Sequence, residues 1–102
     1  MAFGKVLSHE CAPHNVLVNS LNTGVLWTEQ WDTRAAKLAQ SRGITKAEAR
    51  EMIEQGTVKR VPMGRMGDPD EFARLALFLC SEAGSYITGT AINVDGGTSA
   101  AL

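Results

Sequence analysis

Three groups of side chains in this sequence carry types and spacings that could do chemistry. His9, Cys11 and His14 are metal-ligating types close together, Lys59, Arg60 and Arg65 form a small basic cluster, and Trp27 and Trp31 stand four residues apart. Each group has a plainer reading beside the chemical one. Pro13 breaks the first, and no fourth ligand of the right type lies near, so it reads as a helix end with two exposed imidazoles and no metal ligand is assigned. The basic cluster could meet a phosphate-bearing carrier or cofactor, or simply be solvated surface. The tryptophans could form an apolar wall over a substrate, or pack a core, since aromatics at this spacing share one side of a helix. Any of these roles requires elements that hold the side chains in place.

The 102 residues, 44% hydrophobic and 21% charged, have the balance of a single folded domain with one core. Ten basic against eleven acidic residues leave a formal charge of −1, which gives no field to draw in phosphate backbones or anionic lipid. No nucleic-acid or membrane partner is expected. No apolar run approaches the roughly 20 residues that span a bilayer, and residues 1–7 are too short for the core of a secretion signal. The cytoplasm is the default compartment. Cys11 and Cys80 sit among apolar neighbours in helical patterns, where a free thiol behaves as a small buried hydrophobe.

Phe3, Val6, Leu7 and Cys11 mark one side of a helix over residues 2–11, which Pro13 ends. Residues 15–21 are rich in aliphatic and β-branched types and read as a short strand bounded by Asn22-Thr23-Gly24. Trp27, Trp31, Ala35, Leu38 and Ala39 define a helical stripe over residues 28–43. Thr45-Lys46-Ala47-Glu48 is a capping box that opens a further helix over residues 46–55, with Gly56 as its stop. These two helices predict a helical hairpin outside the sheet. Asp68-Pro69-Asp70-Glu71 combines a cap, a first-turn proline and acidic residues at the positive end of the macrodipole. The helix that follows carries Phe72, Leu75, Ala76, Leu79 and Cys80, and Leu77 and Phe78 widen the stripe enough to imply burial on more than one side. Residues 90–94 read as a second strand, closed by Asp95-Gly96-Gly97, where the glycines let the chain turn back. The order predicts an α/β fold with about two parallel strands and flanking helices.

Several motifs in this order resemble one family. Pro62-Met63-Gly64-Arg65-Met66-Gly67-Asp68-Pro69-Asp70-Glu71, then Ser85-Tyr86-Ile87-Thr88-Gly89-Thr90-Ala91-Ile92-Asn93-Val94-Asp95-Gly96-Gly97, are similar to the C-terminal third of a short-chain dehydrogenase/reductase, nearest the 3-oxoacyl carrier-protein reductase branch. The resemblance covers nearly the whole chain. It implies a C-terminal fragment of a doubly wound Rossmann-type parallel sheet, with residues 29–60 as a substrate lid, and it places Met1 inside the family's architecture. It also identifies residues 22–28 with the family's turn over the nicotinamide. By that resemblance Thr23, Gly24, Leu26 and Thr28 are the cofactor-binding candidates, Leu26 through its backbone amide and carbonyl and Thr28 through its hydroxyl. Trp27 and Trp31 are the substrate-lid candidates. Thr23 stands where the family usually has proline, which frees φ and adds an amide donor. Gly24 keeps the backbone freedom that the turn is expected to need. The alternative is that Gly24 ends a strand and Thr28 caps a helix.

The family's phosphate-cradling Gly-x-x-x-Gly-x-Gly is absent from these ten glycines. Its Tyr-x-x-x-Lys pair is absent too: the only tyrosine, Tyr86, has Thr90 four residues on, and no lysine follows Lys59. No catalytic residue is therefore assigned, and no turnover is expected from this chain alone. The resemblance implies the C-terminal portion of an NAD- or NADP-dependent oxidoreductase acting on an alcohol/carbonyl pair. An interaction module without chemistry of its own is the alternative. Either way a homo-oligomer is expected, because two parallel strands leave edges and apolar faces to be covered. A DNA-binding reading of residues 45–60 conflicts with the charge balance.

Overall fold

The computed structural model describes residues 2–99, so the proposed domain bounds of 1–102 extend past it at both ends. Helices run over Ala2–Cys11 (α1), Glu29–Arg42 (α2), Lys46–Thr57 (α3) and Pro69–Cys80 (α4), with strands at Ser20–Thr23 (β1) and Ala91–Val94 (β2). The two strands pair in parallel, Ser20 opposite Ala91 through Thr23 opposite Val94, which is the expected α/β arrangement. The described residues group into two compact units: 2–23 with 70–94, and 24–69 with 95–99.

The first unit holds the sheet, α1 and most of α4. Its first strand starts later than residues 15–21 predict. The reason is a hydrogen-bond substitution. Val18 N–H donates to Thr88 Oγ1 at 3.0 Å, Asn19 Nδ2 donates to the Ile87 carbonyl at 3.0 Å, and Asn19 Oδ1 accepts from both the amide and the hydroxyl of Thr90. Apart from the Gly89 amide, which donates to Val18 O at 2.7 Å, side chains thus occupy the places of ladder bonds, and regular pairing begins only at Ser20, whose amide donates to Thr90 O at 2.9 Å. Pro13 does end α1, and the chain then makes a 3-10 turn over Ala12–His14. Leu79 is buried beneath α4 as the stripe predicts. Leu77 and Phe78, however, are 72% and 43% exposed, so the second side of that helix is only partly covered by the described residues. Cys80 is exposed and Cys11 half-buried, both as free thiols. The expectation of two buried sulfhydryls is corrected: Cys80 is the last residue of α4, beyond the part of the stripe that packs.

The second unit is built around the helical hairpin. Trp27, Ala35, Ala49 and Met66 form its core, packed about by Val25, Trp31, Leu38, Ile44, Ile53 and Val58. Alanines at Ala35 and Ala49, both with no exposure, let α2 and α3 approach closely. Thr28 sits at the N-cap of α2, and Gly43 ends it in the left-handed region at φ 64°. The capping box at Thr45 and Glu48 forms in both directions, with Thr45 Oγ1 accepting from Glu48 N at 3.1 Å and Glu48 Oε1 accepting from Thr45 N at 3.2 Å. Gly56 does not stop α3, which runs to Thr57, where the hydroxyl donates to the Ile53 carbonyl at 2.8 Å. A single glycine costs a helix only about 1 kcal/mol, and neighbouring packing decides the boundary.

Candidate functional site

Residues 23–28 lead from β1 into α2, and their geometry is set by one isolated contact. Leu26 forms a parallel bridge with Gly67. The Gly67 amide donates to Val25 O at 2.9 Å, and the Trp27 amide donates to Gly67 O at 2.8 Å. Successive peptide groups in extended chain point to opposite sides, so when Val25 and Trp27 turn toward Gly67 the N–H and C=O of Leu26 turn away from it. Neither finds a partner among the described residues. One residue further, Thr28 makes no side-chain capping bond, although its carbonyl accepts from the Asp32 amide at 3.1 Å. An unused peptide donor, an unused acceptor and a hydroxyl therefore lie within three consecutive residues.

The structure brings Gly24, Leu26, Trp27 and Thr28 into one unit, while Thr23 closes β1 in the other. The expected role of Gly24 needs correction. It does not adopt a positive φ, so conformational freedom is not what the turn draws from it. The requirement is steric: a Cβ here would lie 2.6 Å from the Asp95 Cα and 2.7 Å from its Cβ. Gly96 and Gly97 do carry positive φ, at 62° and 90°, and let the chain turn as anticipated. The Asp95 carboxylate fastens that turn by accepting from the amides of Gly97 and Ser99, both at 2.9 Å.

Trp27 is 8% exposed and belongs to the core of its unit, whereas Trp31 is half-buried. Their ring centroids lie 6.2 Å apart with the planes tilted by 33°. Arg50 stacks over Trp27 at 4.4 Å and Arg34 over Trp31 at 4.9 Å, so a guanidinium lies on each indole. Trp27 Nε1 is buried without a hydrogen bond of good geometry. Asp32 nevertheless feels it. A hydrogen bond from Lys46 Nζ at 2.7 Å, together with the charge of Lys46, the Trp27 N–H and the more distant charge of Arg50, holds the Asp32 carboxyl below its ordinary value against the opposing effect of desolvation.

Lys59 and Arg60 lie in a 3-10 turn, Val58–Arg60, and Arg65 Nη1 donates to the Met66 carbonyl at 3.2 Å. Among the described residues no group of three or more His, Cys, Asp or Glu could hold a metal ion, and no helix is long and apolar enough to cross a membrane. Tyr86 is fully exposed. Sequence reasoning missed Gly67 and Asp95 as parts of the site. Both were legible only as local punctuation, a helix approach and a turn, because nothing in the sequence says that residue 67 lies beside 26 or residue 95 beside 24.

The chain has relatives among known proteins. Residues 1–99 match the family described as enoyl-(acyl carrier protein) reductase. The chain is 42% identical over 94 residues to the NADPH-dependent reductase BacG of Bacillus subtilis, covering 92% of this chain and 35% of that protein. It is 40% identical over 97 residues to the 3-oxoacyl-[acyl-carrier-protein] reductase FabG of Aquifex aeolicus, covering 95% and 33%. The crystal structure of L-sorbose reductase from Gluconobacter frateurii, complexed with NADPH and L-sorbose, superposes with a TM-score of 0.78 at 32% identity, over 99% of this chain and 37% of that one. The chain thus spans about a third of the length of the curated relatives it matches. With a match across residues 1–99 and a fold shared with these reductases, the chain belongs to the short-chain dehydrogenase/reductase family.

Proposed function

We propose that this chain supplies the nicotinamide side and the substrate-facing helices of an NAD(P)-dependent oxidoreductase acting on an alcohol/carbonyl pair, as the C-terminal portion of such an enzyme. The observation that carries this reading is the Leu26 peptide, with both polar groups turned from the Gly67 bridge and unpartnered among the described residues. A primary carboxamide presents one acceptor and two donors, so it matches an adjacent N–H and C=O. The Thr28 hydroxyl, unspent on capping, adds a third polar contact. When bound, the cofactor would give or accept the hydride exchanged with the substrate's carbonyl carbon. This chain's own residues orient the carboxamide and exclude water through the hairpin of α2 and α3, with the half-buried Trp31 as the side chain that meets a substrate. The sequence carries neither the phosphate loop nor the Tyr-x-x-x-Lys pair, so hydride transfer requires residues beyond these 102. NADPH is the first cofactor to test, because BacG is NADPH-dependent and the L-sorbose reductase structure holds NADPH.

The test is a chimera in which residues 1–99 replace the matching third of BacG. Leu26→Pro, which deletes the amide donor, is expected to weaken NADPH binding by about 1–3 kcal/mol. Thr28→Val, which keeps the shape, is expected to weaken it by about 1 kcal/mol. Unchanged NADPH affinity in both variants would remove the assignment.

We also propose that the exposed side of α4 is covered by association with a second copy of this chain. Leu77 and Phe78 stand out to solvent on a helix whose other side already packs through Leu79. Sedimentation equilibrium on the isolated chain is expected to show concentration-dependent association that Leu77→Glu abolishes. A folded monomer at micromolar concentration would reject this.

A further inference from the structure

We propose that Arg34, held over the Trp31 indole, selects substrates that carry an oxyanionic group, a carboxylate or a phosphate, at a distance from the carbonyl that reacts. The inference rests on the reading of Trp31 as the side chain that meets a substrate, and it names the class of substrate that would be met.

What stands at Trp31 is a cation as well as a ring. The Arg34 guanidinium carbon lies 4.9 Å from the Trp31 ring centroid, and the Trp27 ring borders Trp31 at 6.2 Å. Trp27 is buried in the core, so the indole that carries Arg34 is anchored from within. A guanidinium stacked on an aromatic ring gives up freedom but keeps its donors, because stacking uses its face and hydrogen bonds use its rim. That rim is unspent. Arg34 is exposed, and among the described residues it makes no ion pair and no hydrogen bond. Lys46 and Arg50 of the same hairpin, by contrast, face acids, Lys46 meeting Asp32 at 2.7 Å and Arg50 meeting Glu54 at 3.9 Å. The helix offers Arg34 no acid of its own: the positions three and four residues away hold Trp31, Lys37, Gln30 and Leu38. Lys37 adds positive charge on that flank.

Position along α2 sets what can reach this cation. Thr28 caps the helix and Arg34 lies six residues on, a rise of about 9 Å, while helical side chains lean back toward the N-terminus. The stack on Trp31, three residues earlier, follows that lean and brings the charge toward the Thr28 end. A substrate whose carbonyl meets the nicotinamide beside Leu26 and Thr28 therefore reaches Arg34 with a group several bonds from that carbonyl. Carboxylates and phosphates are the groups a guanidinium fork binds through two parallel hydrogen bonds. The carbon chain between carbonyl and anion would pass along the Trp31 ring.

Two pairs of probes test this: 4-oxopentanoate against its methyl ester, and dihydroxyacetone phosphate against dihydroxyacetone. In the ¹⁵N-labelled full chain, at ionic strength held constant with sodium chloride, the charged member of a pair is expected to shift the Arg34 Nε–H resonance and to change tryptophan fluorescence, and the uncharged member is not. Arg34→Gln should abolish the fluorescence response, and Arg34→Lys, which keeps the charge without the fork, should restore it only in part. In the BacG chimera with NADPH, the ratio of kcat/KM for the charged over the uncharged member should fall by about tenfold in Arg34→Gln. A response from one pair alone supports the proposal and names the anion. Equal responses to charged and uncharged probes, or a fluorescence response that survives Arg34→Gln, overturn the anion site. Binding that depends on Arg34 while the kcat/KM ratio in the chimera ignores Arg34→Gln overturns the role in substrate selection, and leaves the nicotinamide assignment to be judged by NADPH binding in Leu26→Pro. NADPH affinity indifferent to Leu26→Pro and Thr28→Val rejects the enzyme reading, and the substrate role with it.

Discussion

Replacing Gly24 by alanine is expected to destabilise the chain by about 3 kcal/mol, a large effect for one methyl group. The new Cβ would stand 2.6 Å from the Asp95 Cα, 2.7 Å from its Cβ and 3.4 Å from its carbonyl carbon, so the collision is with backbone rather than with the end of a mobile side chain. Asp95 cannot yield cheaply. Its two carboxylate oxygens accept from the amides of Gly97 and Ser99, and its carbonyl accepts from the amide and hydroxyl of Thr98 at 3.2 and 2.7 Å. The segment that gives way is therefore the one carrying Leu26, and in the BacG chimera the loss of stability should be accompanied by weaker NADPH binding. Urea unfolding measures the first effect. Gly56→Ala is the control, since a Cβ there meets nothing within 4 Å and it lies inside α3, so it should stabilise by up to about 1 kcal/mol. If Gly24→Ala melts like the parent, segments 24 and 95 are not in contact in solution.

Gly84→Ala should cost a similar amount, about 2–4 kcal/mol, in the other unit. Gly84 is buried in the 3-10 turn Glu82–Gly84 that follows α4. A Cβ would lie 2.8 Å from Phe78 O, 2.9 Å from Leu79 Cα and 3.0 Å from Leu79 O, three backbone atoms of the last helical turn. The turn is tied down on both sides, with Gly84 N donating to Ser81 O at 3.0 Å and Ile87 N donating to Gly84 O at 3.0 Å. Pushing it outward would strip bonds from the segment that also carries the Ile87 and Thr88 partners of Asn19 and Val18. Thermal unfolding followed by circular dichroism should show the loss, and a midpoint within about 1 °C of the parent would refute the packing.

Helix positions were legible in the sequence because their signals are local. The Thr45–Glu48 box and the acidic first turn after Pro69 each act within a few residues, so they form wherever the segment is placed. The second strand and the Asp95-Gly96-Gly97 turn were readable for the same reason, as was the family, since its motifs recur in order along the chain. The start of β1 was not. Composition marked residues 15–21 as strand-forming, but a ladder needs a partner, and the partner's irregular backbone around Thr88 and Thr90 replaced the first bonds with side chains.

The same division runs through the site. The sequence by itself determined that Leu26 and Thr28 lie in a turn between a strand and a helix, and that no catalytic Tyr-x-x-x-Lys pair accompanies them. Tertiary structure decided the rest. It placed Trp27 in a core rather than at a surface, changed the reason for Gly24 from conformational freedom to close approach of Asp95, and brought Gly67 beside Leu26 from 41 residues away. Contacts between distant segments depend on how the intervening helices pack. A bare Cα declares what it makes room for only when the neighbouring backbone is in place.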